Sequence, residues 1–521
     1  MIIVYHLNNI VAEVTSSILG IIPFERKKTI AKSLYQLASQ FPDEKIVWCH
    51  LEFKEYLDLE LVHELFHHDK LMLSFDKNGS NYFGNKIGYI EDDSPFIKLN
   101  KQVSYPTWQM SSTVGVLHSR VLLEIKDEIR AGADFDYFLN SVAKLCMPLG
   151  LLCYSEPKLL KVSKVVNTIS TQASVYTLFK FVKQHYKTRW VFLLFLNLLI
   201  YEKKVFLSAF LYTIFLRKID SGNICLDAIN VNSSLKVADG FTIDVVIPTI
   251  GRRNQLYDVL CDLQNQTHLP KNVIIVEQNP LPESVSELNY LYDDKWPFAI
   301  KHTFTHQTGA CNARNIALSQ VESEWVFLND DDIRFEPDLI EKAFENISKY
   351  GIQVLTTSCL QLNEKQSYNI ITQSGIFGSG NSFLKSELLK EVTFNESFEN
   401  GYGEDTDFGF QLRNIGADII YFPNLNILHL KAPIGGFRSK PRLAWHNESV
   451  QPKPSPTVML CRILHNTQEQ IYGYKTIFFV KKMIKNEGWK SLFEILSSFQ
   501  KQWDMSLFWA KKLKEIKMYE K

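Results

Sequence analysis

The order of apolar and polar positions divides this chain before any single residue does. Apolar runs of strand length recur at Ile2–Tyr5, Lys45–Cys49, Leu151–Tyr154, Thr242–Ile247, Val273–Val276, Trp325–Leu328 and Ile419–Phe422. Stretches with helical periodicity lie between them, around Lys27–Phe41, at Arg252–Asn265 and from Pro337 to Ser348, the last opened by a proline where a helix has no use for an N–H. Strands alternating with helices predict an α/β fold. Residues 1–160 follow that pattern, with Val114–Lys126 part of it, and 161–220 read as nearly all helix. A short polar connection at 221–240 leads into a second α/β stretch at 241–440, and a stiff linker, Gln451–Pro456, opens the remainder, 441–521.

Two apolar runs interrupt the scheme. Trp190–Tyr201 and Val205–Leu216 flank Glu202-Lys203-Lys204, so each is too short to cross a bilayer and a single span would bury three charges. A buried helical hairpin is the first reading and docking on a membrane surface the second.

Composition narrows the function only slightly. The 521 residues are 45% hydrophobic and 22% charged, and Lys+Arg balance Asp+Glu at 57 each, so no global field argues for nucleic acid as a partner. The eight cysteines show no C-x-x-C pair and no metal-ligand spacing, and read as buried free thiols of a reducing compartment. Met1–His6 lacks the features of a signal peptide, and a cytoplasmic protein is expected.

The chemistry concentrates where strands end. Trp325–Leu328 runs into Asn329 and then three consecutive carboxylates, Asp330, Asp331 and Asp332. Such a cluster is kept for solvent, a helix N-terminus or a hard cation. Thr242–Ile247 ends in Pro248-Thr249, and Val273–Val276 in Glu277-Gln278; loops after such strands form the ligand crevice of an open sheet. Neither G-x-G-x-x-G nor a P-loop is present. Gly309 opens a helix carrying Arg314, where N–H groups and a guanidinium can face a phosphate. Gly378 and Gly380, beside Asn381, form a bend that admits close approach to a ligand. Glu404, Asp405 and Asp407 crowd a helix start, where capping accounts for one carboxylate but not three. With His429, the aspartates make a set that suits Mn²⁺ or Mg²⁺ better than closed zinc.

Val245-Val246-Ile247-Pro248-Thr249, Ala313-Arg314-Asn315, Asn329-Asp330-Asp331-Asp332 and Gly403-Glu404-Asp405-Thr406-Asp407, in that order, resemble a family 2 glycosyltransferase of bacterial surface-polysaccharide type, with the Rossmann-like GT-A fold. The likeness covers roughly residues 241–440. It implies that Pro248, Thr249, Arg252, Glu277, Arg314 and Asp331 line a nucleotide-sugar pocket. Arg438 would reach the diphosphate, and Asp330, Asp332 and His429 would hold the divalent metal. Asp405, with Glu404, would be the catalytic base of an inverting transfer, and Gly378, Gly380, Asn381 and Asp407 would lie on the acceptor side. Asn329 replaces the first aspartate of the commoner motif, which leaves open which two carboxylates bind metal. Saccharide and lipid-linked acceptors both fit. The rival readings are a sugar-nucleotide-binding protein without turnover and a sugar nucleotidyltransferase.

The N-terminal part echoes the same domain. Ser112–Ile125 runs parallel to Ser379–Val392, and Asp134-Phe135-Asp136 echoes Asp405-Thr406-Asp407, whereas the aspartate run has no counterpart after Lys45–Trp48, where Cys49-His50 follow. A truncated GT-A-like domain unable to hold a nucleotide sugar is expected at 1–160. From Lys475 to the C-terminus eleven lysines face five acids, a net +6, among aromatics such as Phe499, Trp503 and Trp509. Such a tail fits either an anionic membrane surface, on the inner face of the cell membrane, or packing against the catalytic domain.

Overall fold

A computed structural model describes residues 1–25, 27–76, 81–161, 172–431, 442–484 and 491–519. The chain forms two compact units, Met1–Leu235 with Asn466–Val480, and Lys236–His465 with Lys481–Lys521. Residues 441–521, expected as one linker and tail, are thus shared between the two.

The second unit carries nine strands: β9 (Ile243–Thr249), β10 (Asn272–Gln278), β11 (Ala299–Thr305), β12 (Trp325–Asn329), β13 (Ile333–Phe335), β14 (Val354–Leu360), β15 (Thr372–Gln373), β16 (Asn381–Lys385) and β17 (Ile420–His429). Their order is β11-β10-β9-β12-β16-β14-β17-β13, with β15 beside β17. Strand β12 lies near the middle, parallel to β9 and antiparallel to β16, and all five of its residues are buried. That is why Trp325–Leu328 is apolar without alternation: both faces are covered. Phe327 stacks on Phe383 across the β12–β16 pair, ring centres 4.2 Å apart.

The helix expected at Pro337–Ser348 runs from Leu339 to Tyr350. Leu339, Ile340, Ala343, Phe344 and Ile347 turn one face into the core, each large side chain contributing about 1.5–3 kcal/mol on burial. Gly351, at φ +64°, ends it by donating its N–H to the Ile347 carbonyl at 2.9 Å. The three-residue strand β13 before it is too short to leave a periodic signal, and the sequence did not reveal it.

The first unit repeats much of this plan. Its strands are β1 (Ile2–Leu7), β2 (Ile10–Ser16), β3 (Gly20–Ile21), β4 (Lys45–His50), β5 (Leu71–Phe75), β6 (Tyr105–Pro106), β7 (Val114–His118) and β8 (Leu152–Ser155), in the order β3-β2-β1-β4-β7-β5-β8-β6. The run β1-β4-β7-β5-β8 has the same succession of parallel and antiparallel neighbours as β9-β12-β16-β14-β17. The short β6 lies antiparallel to β8 as β15 does to β17. The outer edge differs. Where β10 and β11 continue in parallel from β9, β2 and β3 fold back antiparallel from β1. Asn8 and Asn9, at φ +52° and +59°, form the two-residue turn that sends the chain back.

Two expectations change, and the two readings of the tail narrow. The apolar runs at 190–216 are not a buried hairpin: Val191, Leu194, Leu198 and Ala209 are buried, but Phe192, Val205, Leu207, Ile214 and Phe215 are more than half exposed. Their apolar residues occur all round each helix, and only one face of each meets the core. In the tail, Phe499 and Trp503 are buried, and Trp509 donates to Glu448 at 3.2 Å, so much of its aromatic content is engaged within the second unit. Of the free thiols, Cys225 is exposed and Cys261 and Cys359 are half-buried.

Asp244 ties the start of β9 to its neighbours. Fully buried, its carboxylate accepts from Asn272 Nδ2 at 2.8 Å, the Glu322 N–H at 2.7 Å and the Ser323 hydroxyl at 2.6 Å. Asp244→Ala strands those donors and is expected to destabilise the second unit by about 3 kcal/mol in denaturant unfolding. Asp262→Ala, which frees the partly exposed Arg334, should cost less than about 1 kcal/mol in the same measurement.

Candidate active site

The residues singled out at strand ends converge because β9, β10 and β12 are adjacent and parallel, so their C-terminal loops open on one side of the sheet. Thr249, at the end of β9, donates its hydroxyl to Asp331 Oδ2 at 2.7 Å. Arg252 follows on the loop, with Nη1 2.5 Å from Asp331 Oδ1 and 3.1 Å from Asp332 Oδ2. Burial pushes the Asp331 carboxyl up to about 6, against the pull of Arg252 and Thr249. Asp330 turns the other way and meets Arg314 Nη2 at 3.1 Å. Two arginines, one capping the Arg253–Gln264 helix and one within the Ala310–Leu318 helix, therefore share three consecutive carboxylates.

Gly380 lets this happen. A Cβ there would sit 2.1 Å from Asp330 Oδ2, so only glycine leaves room for the carboxylate. Gly378 is likewise closed by Asn381, whose Nδ2 donates to the Thr357 carbonyl at 2.7 Å. Asn381 thus braces β14 against β16.

Asp405, in the first turn of the Glu404–Asn414 helix, accepts a hydrogen bond from Ser379, while its buried Oδ1 has no hydrogen-bond partner. Burial raises its pKa, with Arg314 pulling the opposite way. Glu404 is pushed up to about 7 by burial and then by Asp405. Asp407, expected on the acceptor side, is instead buried and spent: His465 Nε2 lies 2.6 Å from Oδ1, and Gln411 donates to Oδ2 at 2.7 Å. It belongs to the packing of this helix.

The helix opened by Gly309 differs from expectation in one half. Its amino-terminal N–H groups are taken by the protein: Gly309 N–H donates to Gln278 Oε1 at 2.6 Å and Asn312 N–H to Glu399 Oε1 at 2.7 Å. No phosphate is needed there, and the Arg314 guanidinium alone faces the site. Gly309, at φ +149°, admits Glu399, since a Cβ would come within 2.3 Å of its carboxylate. At the end of β10, Glu277 is held by His302 Nε2 at 3.1 Å; burial raises its pKa, but hydrogen bonds from His302, Ser286 and the Glu287 N–H outweigh this and lower it overall. Glu399 and His302 had no sequence signal, because each acts on residues distant in the chain, and Gln278 and Ser379 stood in segments already singled out but with no role assigned.

Among the described residues no group of three or more His, Cys, Asp or Glu side chains is arranged to hold a metal ion. The expected ligands are partly assembled: antiparallel pairing of β13 with β17 sets Ile333 opposite His429, bringing His429 Nε2 to 3.4 Å from Asp332 Oδ1. Asp332, by its hydrogen bond and charge, raises the His429 pKa. Asp330 faces Arg314 and does not join them. The pair has the donor chemistry of a hard-cation site, and Asp330 is the ligand that would have to turn. Arg438 lies outside the described residues.

The family model of Glycosyl transferase family 2 matches residues 244–399, which contain the Asp330–Asp332 cluster and both arginines. An uncharacterized glycosyltransferase of Rickettsia conorii is 27% identical over 148 residues, 28% of this chain and 24% of that protein. The uncharacterized glycosyltransferase YwdF of Bacillus subtilis is 33% identical over 105 residues, 20% of this chain and 38% of that one. The chain thus spans about a quarter and two fifths of the length of these curated relatives. Among solved structures, S. aureus TarS 1–349 in complex with UDP-GlcNAc has a TM-score of 0.35 at 18% identity, over 51% of this chain and 79% of that one. GalNAc-T7 with UDP, GalNAc and Mn²⁺ has a TM-score of 0.36 at 11% identity, over 50% and 54%.

Two substitutions separate the site from its scaffold. Asp407→Asn weakens a charged hydrogen bond and should destabilise the second unit by about 1–3 kcal/mol in thermal unfolding, without altering nucleotide affinity. Gly380→Ala forces Asp330 aside and should weaken nucleotide binding in the presence of Mn²⁺ about tenfold in calorimetry, from the loss of a ligand to the cation. Unchanged affinity would detach Asp330 from the ligand site.

Proposed function

We propose, from the match of the Glycosyl transferase family 2 model to residues 244–399, that the protein transfers a sugar from a nucleotide-sugar donor to a hydroxyl of a saccharide or lipid-linked acceptor, with inversion, in cell-surface glycan synthesis. The observation that carries the reading is the buried Asp405 Oδ1 without a partner, close enough to Arg314 to feel its charge. A carboxylate oxygen left unpaired and kept from water is suited to take the proton of an attacking hydroxyl.

In this mechanism the acceptor oxygen attacks the anomeric carbon while Asp405 accepts its proton, and the bond from that carbon to the diphosphate breaks. The electron pair leaves with the diphosphate. Arg252 and Arg314 stabilise the negative charge that develops there, at no cost in reorganisation, because both are already held by the aspartates. Thr249 fixes Asp331, and Glu277, held by His302, would contact the nucleoside. Glu404, with its raised pKa, supports Asp405 from the same helical turn. Asp332 and His429, joined by Asp330, would hold Mn²⁺ or Mg²⁺, whose chemistry is to neutralise the diphosphate.

Among the described residues the N-terminal unit has no counterparts of β10, β11 and β13, and the strand register sets His50 where Asp330 stands in the second unit. We read it as a non-catalytic copy that serves acceptor binding or assembly.

The test is nucleotide diphosphate release from a panel of nucleotide sugars with acceptor extract. Asp405→Asn should lower kcat at least about a hundredfold, as loss of a general base does, while donor affinity stays within about twofold. Turnover unaffected by the substitution would remove Asp405 from the chemistry. EDTA should abolish release and Mn²⁺ or Mg²⁺ restore it.

A further inference from the structure

Residues 187–218 present an apolar surface rimmed by cations. The Arg189–Tyr201 helix buries Val191, Leu194 and Leu198, and leaves Phe192 and Leu199, seven residues apart on one stripe, 58% and 38% exposed. The Leu207–Tyr212 helix and the turn after it expose Leu207 and Leu211, then Ile214 at 67% and Phe215 at 83%. The two stripes adjoin, because the ring of Phe192 lies 5.2 Å from that of Phe210. The surface is a fixed one: Ala209 and Thr213 are buried beneath it, and Tyr176 donates to Ser208 at 2.7 Å.

Charge decides what covers it. Between Lys187 and Lys218 stand six cations, Lys187, Arg189, Lys203, Lys204, Arg217 and Lys218, all exposed. The single acid in that span, Glu202, is paired with Lys86 at 3.4 Å. We propose that this face docks on an anionic lipid bilayer, with the exposed aromatic and aliphatic side chains entering the headgroup boundary and the six cations facing lipid phosphates. A second copy of the chain is a poorer occupant, since a two-fold pairing of this patch sets the same cations against themselves. Among the described residues no helix is long and apolar enough to cross a membrane, which agrees with docking on the surface and not with insertion through it. The inference rests on the surface alone and is independent of the proposed transfer reaction.

The experiment is co-sedimentation of the full-length protein with vesicles of phosphatidylcholine alone or mixed with phosphatidylglycerol, with light scattering of the free protein. Expected is binding to the mixed vesicles only, weakened by salt and reduced about tenfold both in a Phe192→Ser, Ile214→Ser, Phe215→Ser variant and in a Lys203→Glu, Lys204→Glu variant. Thermal unfolding like that of the wild type shows that both variants fold. The proposal is overturned by no binding of the wild type to mixed vesicles, or by binding that both variants retain. It is equally overturned if Phe493→Ser in the C-terminal tail, and not these variants, abolishes binding, or if the wild type is a dimer that the apolar variant dissociates.

Discussion

Three adjacent carboxylates at the end of a buried strand repel one another and lose solvation, and the second unit depends on how that repulsion is neutralised. Arg252 takes Asp331 and Asp332, and Arg314 takes Asp330. The two guanidiniums come from segments that the sheet brings together only when β9, β12 and the helix behind them are in place. Removing Arg252 from the buried Asp331 and Asp332 leaves an uncompensated charge, which commonly costs about 3–5 kcal/mol. The same constraint prepares the chemistry: an arginine pair already ordered around acidic groups is ready for an anionic ligand without further organisation.

Two sheets of one plan differ at one edge, the edge at which the donor chemistry is proposed. Both units keep the five-strand run through the sheet centre, and both fix an acid near the start of the following helix by a serine before the strand: Ser379 holds Asp405, and Ser112 N–H donates to Asp136 at 2.8 Å. The first unit replaces two parallel edge strands by an antiparallel hairpin turning at Asn8-Asn9. With those strands go the positions of Glu277 and its partner His302. A two-residue turn in place of a helix crossover is enough to remove that half of the crevice.

The α/β character, the central strands and the aspartate cluster were legible because each rests on local pattern: continuous apolar runs, helical periodicity between them, charges at a strand end. The internal repeat was also legible, although the bond from Ser112 and the place in the helix make Asp136, and not Asp134, the counterpart of Asp405. What was not legible depends on long-range pairing. The β13–β17 pair that carries His429 to Asp332 has only three residues on one side. Asp407 looked like a third site acid because its partner, His465, lies 58 residues further on. The runs at 190–216 look uniformly buried by composition, and only the packing shows which face of each helix meets water.

The most direct test of the central claim is a calorimetric titration of the full-length protein with nucleoside diphosphates, in wild type and in Arg252→Lys, which keeps the charge but loses the two-pronged contact. The account predicts that one nucleoside diphosphate binds the wild type and that Arg252→Lys weakens it about tenfold while the unfolding temperature barely moves. Failure of every nucleoside diphosphate to bind the wild type, with or without Mn²⁺, would contradict the assignment of the aspartate–arginine cluster as a donor site.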